Sequence, residues 1–437
     1  MTAIACATSP VSHEAASTVL PTASTRIAPN VPIPRNGVDY REKVVLAPMV
    51  RSGELPSRLL ALHYGADLVW GPETVDRSMI GTTRKINPRT SCIEWTRPVK
   101  NILPEHVGSR TENVLYRIDP SREKGRLIYQ IGTSNPDLAV QAAKVVAADV
   151  SGIDVNAGCP KPFSTSGGMG AALLRTPDLL ASILRELVEK VGKVYEIGIS
   201  VKIRLLETPE LTESLVRKLC GTGITGLTVH CRTTPMRPRE RAIRDQLRMI
   251  GSVCREHGVA CLMNGDVKNR DEAIKLAAEY GVDGGMIASA AESNSSAFRT
   301  AEQGGLAPWR EVIREYLKLA MKVENKWGNT KFLLGQLIPG KEACHRAICM
   351  SKSHVEGLQV LGFDDDDMMR MARAVDKVLS LDEPMTSKQE RKQMRKQMKR
   401  ALETNDESGD SNVVQTEKKQ RHEKESEYAS LQQVAMA

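Results

Sequence analysis

An α/β chain closing into a (β/α)8 barrel is what the sequence predicts, on three observations. From Val44 to about Ser289, eight short apolar, β-branched runs alternate with longer segments of helical spacing. Eight such alternations over roughly 250 residues are what a closed ring of parallel strands requires. The first run leads into Ala47-Pro48-Met49, not into the glycine-rich turn that an open doubly wound sheet places there. After about Leu306 the strand pattern stops and amphipathic helical spacing takes over, so a small all-α domain is expected behind the barrel.

In chain order, residues 1–38 are rich in Ser, Thr, Ala and Pro, with Glu14 as the one acidic residue and no periodicity. Such a segment buries too little apolar surface to fold and reads as disordered. A Ser-rich, acid-poor transit peptide is the alternative reading. The barrel is assigned to residues 39–305, with the runs VVLAPMV (44–50), ADLVWG (66–71), RLIYQIG (126–132) and GIDVNAG (152–158) in its first half. ISVKIRL (199–205), GLTVHCR (226–232), ACLMNGD (260–266) and GGMIAS (284–289) make up the second. Between them PDLAVQAAKVVAA and PDLLASILRELVEKV open with the proline that suits a helix start. Residues 306–383 form the helical domain, with helices expected over Trp309 to Trp327, Thr330 to Met350 and Asp366 to Leu379. Residues 384–437 are a basic, then polar, tail in which Lys388, Arg391, Lys392, Arg395, Lys396, Lys399 and Arg400 recur at helical spacing. A solvated helix, a phosphate-backbone contact and a nuclear localisation signal are the readings open for it.

Composition narrows the function classes. Aromatic residues are 4% of the chain, too few for a platform that stacks bases as its main device. No apolar run approaches the roughly 20 residues that cross a bilayer, so no membrane partner is expected. The nine cysteines include no CxxC pair, which suggests neither a zinc site nor a disulfide framework and points to a reducing compartment. A metal-free monomer in cytoplasm or nucleus is the expectation, mitochondria following only if the N-terminal segment is a transit peptide. The net charge of +8 points to a polyanionic partner once its clustering in the tail is counted.

Barrels of this kind build their sites at the C-terminal ends of the strands, and reactive side chains fall there on nearly every run. Pro48 and Met49 end the first, Gln130 the third, Asn156 and Cys159 the fourth, Lys202 and Arg204 the fifth, and His230 the sixth. Asn264-Gly265-Asp266 closes the seventh and Ala288-Ser289 the eighth. Loops after the last two strands form phosphate sites in these barrels, with Gly265 and the Gly284-Gly285 pair expected to let backbone approach a phosphate. Lys202 is placed to put positive charge beside the N1–C2=O edge of an isoalloxazine, and Gln130 to bond its pyrimidine edge. That combination argues for FMN.

These residues lie in a chain that resembles the tRNA-dihydrouridine synthases, most of all the eukaryotic branch acting on the uridine at position 20 of the D-loop. The resemblance runs from about Val44 to about Leu337, carried by LAPMVRSGELPSRLLALHYGAD, QIGTSNPDLA, GIDVNAGCPKPFSTSGGMGAALL, KIRLL, TVHCRTT, NGD and YLKLAMKVENKWGNTKF. It implies an FMN barrel, a helical tRNA-binding domain and NADPH-dependent reduction of the uracil C5=C6 bond in tRNA. It implies Cys159 as the acid, protonating C5 while hydride passes from flavin N5 to C6. A thiol, mostly protonated at neutral pH, suits that step. Ala47, Pro48, Met49, Gln130, Lys202, His230, Asn264, Gly265, Asp266, Ala288 and Ser289 match FMN-contacting positions. Asn156 and Arg204 match positions that grip the extruded uridine. Two departures stand out: Ser289 replaces the usual Arg, and NAGCP lacks the common Met before Gly.

Two other readings fit parts of the pattern. A dihydroorotate dehydrogenase-like oxidoreductase would share the phosphate site and Lys202 but turn over a free pyrimidine. A catalytically weak tRNA-binding protein would keep the helical domain and tail without the chemistry.

Overall fold

The computed structural model describes residues 31–98, 112–237 and 239–381. Most of the N-terminal extension and the basic C-terminal segment, on which two of the expectations above fall, lie outside the described residues. All eight expected runs are strands: β1 (Lys43–Leu46), β2 (Leu68–Trp70), β3 (Leu127–Gly132), β4 (Gly152–Ala157), β5 (Gly198–Arg204), β6 (Gly226–His230), β7 (Ala260–Asn264) and β8 (Gly284–Ile287). Each pairs in parallel with the next, and β8 returns to pair with β1, so the sheet closes. This is the (β/α)8 barrel of the sequence expectation.

Strand side chains alternate between two apolar environments, which is why the runs read as continuously hydrophobic. Residues such as Val44, Leu46, Ile153, Val155, Val201 and Val229 pack outward against the helices. Val45, Ala47, Leu68, Trp70, Ile128, Ala260, Leu262 and Met286 point inward, and Val31, Val38 and Tyr40 join them from below. The Tyr40 ring lies over the glycines that open β4, β5 and β6; a Cβ on Gly226 would come within 2.9 Å of it, and one on Gly152 within 3.1 Å of its hydroxyl. Three missing side chains thus make room for an aromatic stopper at the N-terminal end of the ring.

Between β2 and β3 the chain inserts a three-stranded antiparallel sheet, Thr83–Ile86, Ile93–Pro98 and Glu112–Ile118. Its Trp95 lies tilted against Tyr116, which meets Tyr129 of β3 edge-on and fixes the insertion to the barrel.

The helical region corrects the sequence reading in three places. The helix expected over Trp309 to Trp327 stops at Lys322, and a new one, Trp327–Leu337, begins after a break. Glu324 turns the chain with φ of +52°, because its carboxylate is drawn into the inserted sheet by Asn87 Nδ2 (3.0 Å) and Arg89 Nη2 (2.7 Å). The helix expected over Thr330 to Met350 is likewise two, Trp327–Leu337 and Cys344–Met350, since Ile338 precedes Pro339 and is pushed to extended backbone. A further helix, His354–Leu361, had no expectation; Asp366–Val378 follows as read.

Candidate active site

The loop after β4 is built by its own polar groups. Asn156 Oδ1 accepts from the amides of Gly158 (3.0 Å) and Cys159 (3.1 Å), bending the chain out of the strand. Arg204 at the end of β5 donates through Nε to the Gly158 carbonyl (2.7 Å) and through Nη1 to that of Thr233 (2.9 Å). Gly170, at φ +59°, closes the loop: the Ala171 amide bonds the Cys159 carbonyl at 2.9 Å, and a Cβ on Gly170 would lie 2.6 Å from that oxygen. Asn156 and Arg204, expected to hold the base, therefore hold the loop in this structure.

Glu73, just after β2, was not singled out by the sequence. Its Oε1 accepts from Ser164 of the same loop at 3.1 Å, and it fits only because position 132 is glycine, where a Cβ would lie 2.4 Å from that oxygen.

Cys159 is half-buried. Burial pushes its thiol up, Glu73 adds to the rise, and Arg204 and Lys161 oppose it. Asn156, which holds the Cys159 amide, lies opposite Lys202 in register, and Arg204 bonds the Gly158 carbonyl, so thiol and ammonium share one mouth of the barrel.

Beneath the loop, Gln130, Asp154, Ser200 and Lys202 face inward from β3, β4 and β5. Gln130 Nε2 donates to Asp154 Oδ2 at 2.8 Å and Ser200 Oγ to Asp154 Oδ1 at 2.7 Å. Lys202 donates to no protein acceptor among the described residues; burial, helped by Arg204, brings its ammonium down to about 8. His230, paired in register with Arg204 and Asn264, is pushed down to about 2 by burial and by Lys202, Arg204 and Arg232. Arg232 Nη1 lies 3.2 Å from His230 Nε2. An arginine only donates, so this imidazole is neutral and carries its proton on Nδ1.

The β7 side is pinned by two arginines that the sequence reading passed over. Arg232 Nη2 bonds Asp266 Oδ1 at 2.5 Å, and Arg244 Nη2 bonds the carbonyls of Gly265 (2.8 Å) and Asp266 (3.1 Å). Burial alone would raise the Asp266 carboxyl, but Arg232 and the Ala242 amide outweigh it and hold it low. Gly265 needs its φ of +118°, and a Cβ there would press on His230 Cδ2 at 3.3 Å. Asn264 Nδ2 donates to the Met286 carbonyl at 2.9 Å. Pro48 is half-buried beside Ala47, and Met49 and Ala288 pack on the inward apolar cluster. Ser289 is exposed at the start of the short helix Ser289–Ser293.

Gly284 and Gly285 lie at the beginning of β8, not at its end, which corrects the expectation that they approach a phosphate. A Cβ on Gly284 would meet the Lys43 carbonyl at 2.3 Å and one on Gly285 the Ala273 side chain at 2.8 Å. Their smallness serves strand and helix packing.

The mouth is thus two-sided. Ala47, Met49, Met286 and Ala288 make an apolar flank, while Gln130, Lys202, His230 and Asn264 make a polar one. Such a wall suits a flat ligand with one apolar and one hydrogen-bonding edge.

A family model described as dihydrouridine synthase (Dus) matches residues 45–360. The tRNA-dihydrouridine(20) synthase of Schizosaccharomyces pombe, whose name carries NAD(P)+, is 51% identical over 306 residues, 69% of this chain and 61% of its own. The chain therefore spans less than two thirds of that relative's length. Its Saccharomyces cerevisiae namesake is 45% identical over 335 residues, 76% of this chain and 86% of its own. The tRNA-dihydrouridine(20a/20b) synthase of Saccharomyces cerevisiae is 28% identical over 258 residues, 59% of this chain and 62% of its own. The matched stretch takes in every site residue expected from the sequence, from Ala47 through the cysteine loop to Ser289, and the chain belongs to the dihydrouridine synthase family.

Proposed function

We propose that the chain reduces the C5=C6 bond of a uridine in tRNA to 5,6-dihydrouridine, with NADPH as reductant. Kinship to relatives named for position 20 makes the D-loop uridine there the proposed target. The observation that carries the reading is Cys159, a protonated thiol at the mouth of a barrel whose interior holds an uncommitted ammonium.

The residues present fit FMN. Among the described residues Lys202 has no protein acceptor, and it offers a cation to an N1–C2=O edge; Gln130, two strands away, faces the same interior. Ala47, Pro48, Met49 and Ala288 supply apolar wall. His230, Asn264, Gly265, Asp266 and Ser289 border the phosphate side, whose backbone Arg232 and Arg244 brace through Asp266 and the Gly265 carbonyl. When bound, the flavin supplies the hydride that C6 of the uracil accepts.

Cys159 holds the proton that C5 requires, and burial keeps that proton on sulfur at neutral pH. Asn156 and Arg204 fix the loop so that the sulfur stays at one place. Neutral His230 donates through Nδ1 and adds no charge beside Lys202. A base reaches this depth only by leaving its stack.

The test is to purify the protein, load it with FMN, supply NADPH and unmodified tRNA, and map dihydrouridine. Yellow protein that modifies one D-loop uridine is expected. Protein that takes up no FMN, or that turns over free uridine or dihydroorotate and leaves tRNA untouched, would overturn the reading.

A further inference from the structure

Asp154 takes no part in the chemistry above, yet it occupies the centre of the polar floor. Gln130, Asp154 and Ser200 stand side by side on three neighbouring strands, Gln130 opposite Asp154 and Asp154 opposite Ser200. Asp154 is fully buried, a costly place for a carboxylate unless its acceptors are filled. Both are: Oδ2 by Gln130 Nε2 at 2.8 Å and Oδ1 by Ser200 Oγ at 2.7 Å.

A carboxylate only accepts, so this bond decides which way the Gln130 amide is turned, a choice otherwise ambiguous for a glutamine. The nitrogen must face Asp154. The oxygen, Oε1, is then left over as an acceptor that no protein donor reaches among the described residues. Burial pushes the Asp154 carboxyl up to about 6, against the bonds from Gln130 and Ser200 and the field of Lys202. It therefore stays ionised at neutral pH and acceptor-only.

We propose that Asp154 is a positioning residue for the flavin: it locks the Gln130 amide with its oxygen presented to the N3–H of the isoalloxazine pyrimidine ring. N3–H is the donor on that edge, between two carbonyl acceptors. An amide turned the other way would set a donor against a donor. The inference rests on the FMN reading and deepens it.

The test is FMN affinity, measured by fluorescence titration of apoprotein, in a set of variants whose fold is checked by circular dichroism. Asp154→Ala frees the amide and should weaken FMN binding about tenfold, the worth of a hydrogen bond to a charged group. Asp154→Ser gives the buried neighbours a hydroxyl that donates as well as accepts, so it keeps them bonded while releasing the amide, and should lose as much. Asp154→Asn can still accept from Gln130 through Oδ1 and donate to Ser200, and should stay within about threefold of the parent. In a Gln130→Ala background the loss on Asp154→Ser should vanish, as coupling through Gln130 demands. Parent-like affinity in Asp154→Ser, or an undiminished loss in the Gln130→Ala background, would overturn the proposal. Failure of the parent protein itself to bind FMN would instead sink the cofactor reading.

Discussion

Arg204 Nε donates to the carbonyl oxygen of Gly158 at 2.7 Å, one residue before the cysteine, while its Nη1 is held by Thr233. The guanidinium ties the ends of β5 and β6 to the loop that carries the thiol. Arg204→Lys keeps the charge but loses the fork, and the sulfur should drift. Dihydrouridine formation is expected to slow by about 10², the usual cost of a misplaced group, with flavin reduction by NADPH unchanged in stopped flow. An equal fall in both half-reactions would contradict the positioning role.

Cys159→Ala should likewise spare flavin reduction but slow product formation by about 10² or more, the worth of a placed acid. Equal turnover in variant and parent would remove the thiol from the mechanism.

The thiol acts as an acid, so its step is available below its pKa and fades as pH rises through it. Burial, with Glu73 adding to it, raises that pKa and extends the active range upward. Glu73→Gln removes the charge and should move the alkaline limb to lower pH. Iodoacetamide alkylation of the Cys159 peptide, followed by mass spectrometry against pH, reads the shift directly; an unmoved midpoint would exclude the coupling.

His230, pushed down to about 2, should not titrate between about pH 5 and 8, where an ordinary histidine changes charge. Constant imidazole carbon shifts over that range, by NMR of the labelled protein, are the expected result. A midpoint near 6.5 would rule out a neutral His230 held down by burial and by Lys202, Arg204 and Arg232.

Glu324 joins the helical region to the inserted sheet. Glu324→Ala takes one acceptor from Asn87, which keeps Glu94 (3.1 Å), and the ion pair from half-exposed Arg89, and should cost about 1 kcal/mol, read from chemical denaturation. Burial raises the Glu324 carboxyl, but the Arg89 and Asn87 donors outweigh it and hold it below its ordinary value. This contribution is therefore present above the unfolded carboxyl's pKa and fades as pH falls through the depressed one.

Much of this was legible in the sequence. Parallel barrel strands are covered on both faces, so each of the eight appeared as a mainly apolar, β-branched run, most with a polar residue at or near its end. The inserted sheet did not: its first strand, Thr83–Ile86, is exposed at all four positions, and TRKI carries no apolar signal. The break at Glu324 was hidden because WREVIREYLKLAMKVENKW keeps helical spacing straight through it. Arg89, Asn87 and Arg117, all distant in sequence, hold the turn at which that helix ends. Asp154 sat in plain view inside GIDVNAG. A carboxylate in the middle of a buried strand demands two donors, and that demand was the unused clue to Gln130 and Ser200.

For the reaction proposed here, the Tyr40 stopper has a steric consequence. With the N-terminal end of the ring filled by Tyr40 against Gly152, Gly198 and Gly226, the proposed cofactor and base are confined to the opposite rim, where Cys159, Lys202 and His230 stand. A bulkier residue at Gly152 or Gly226 would push the ring aside, so a fault at the floor of the barrel would reach the chemistry only through the strands that carry it.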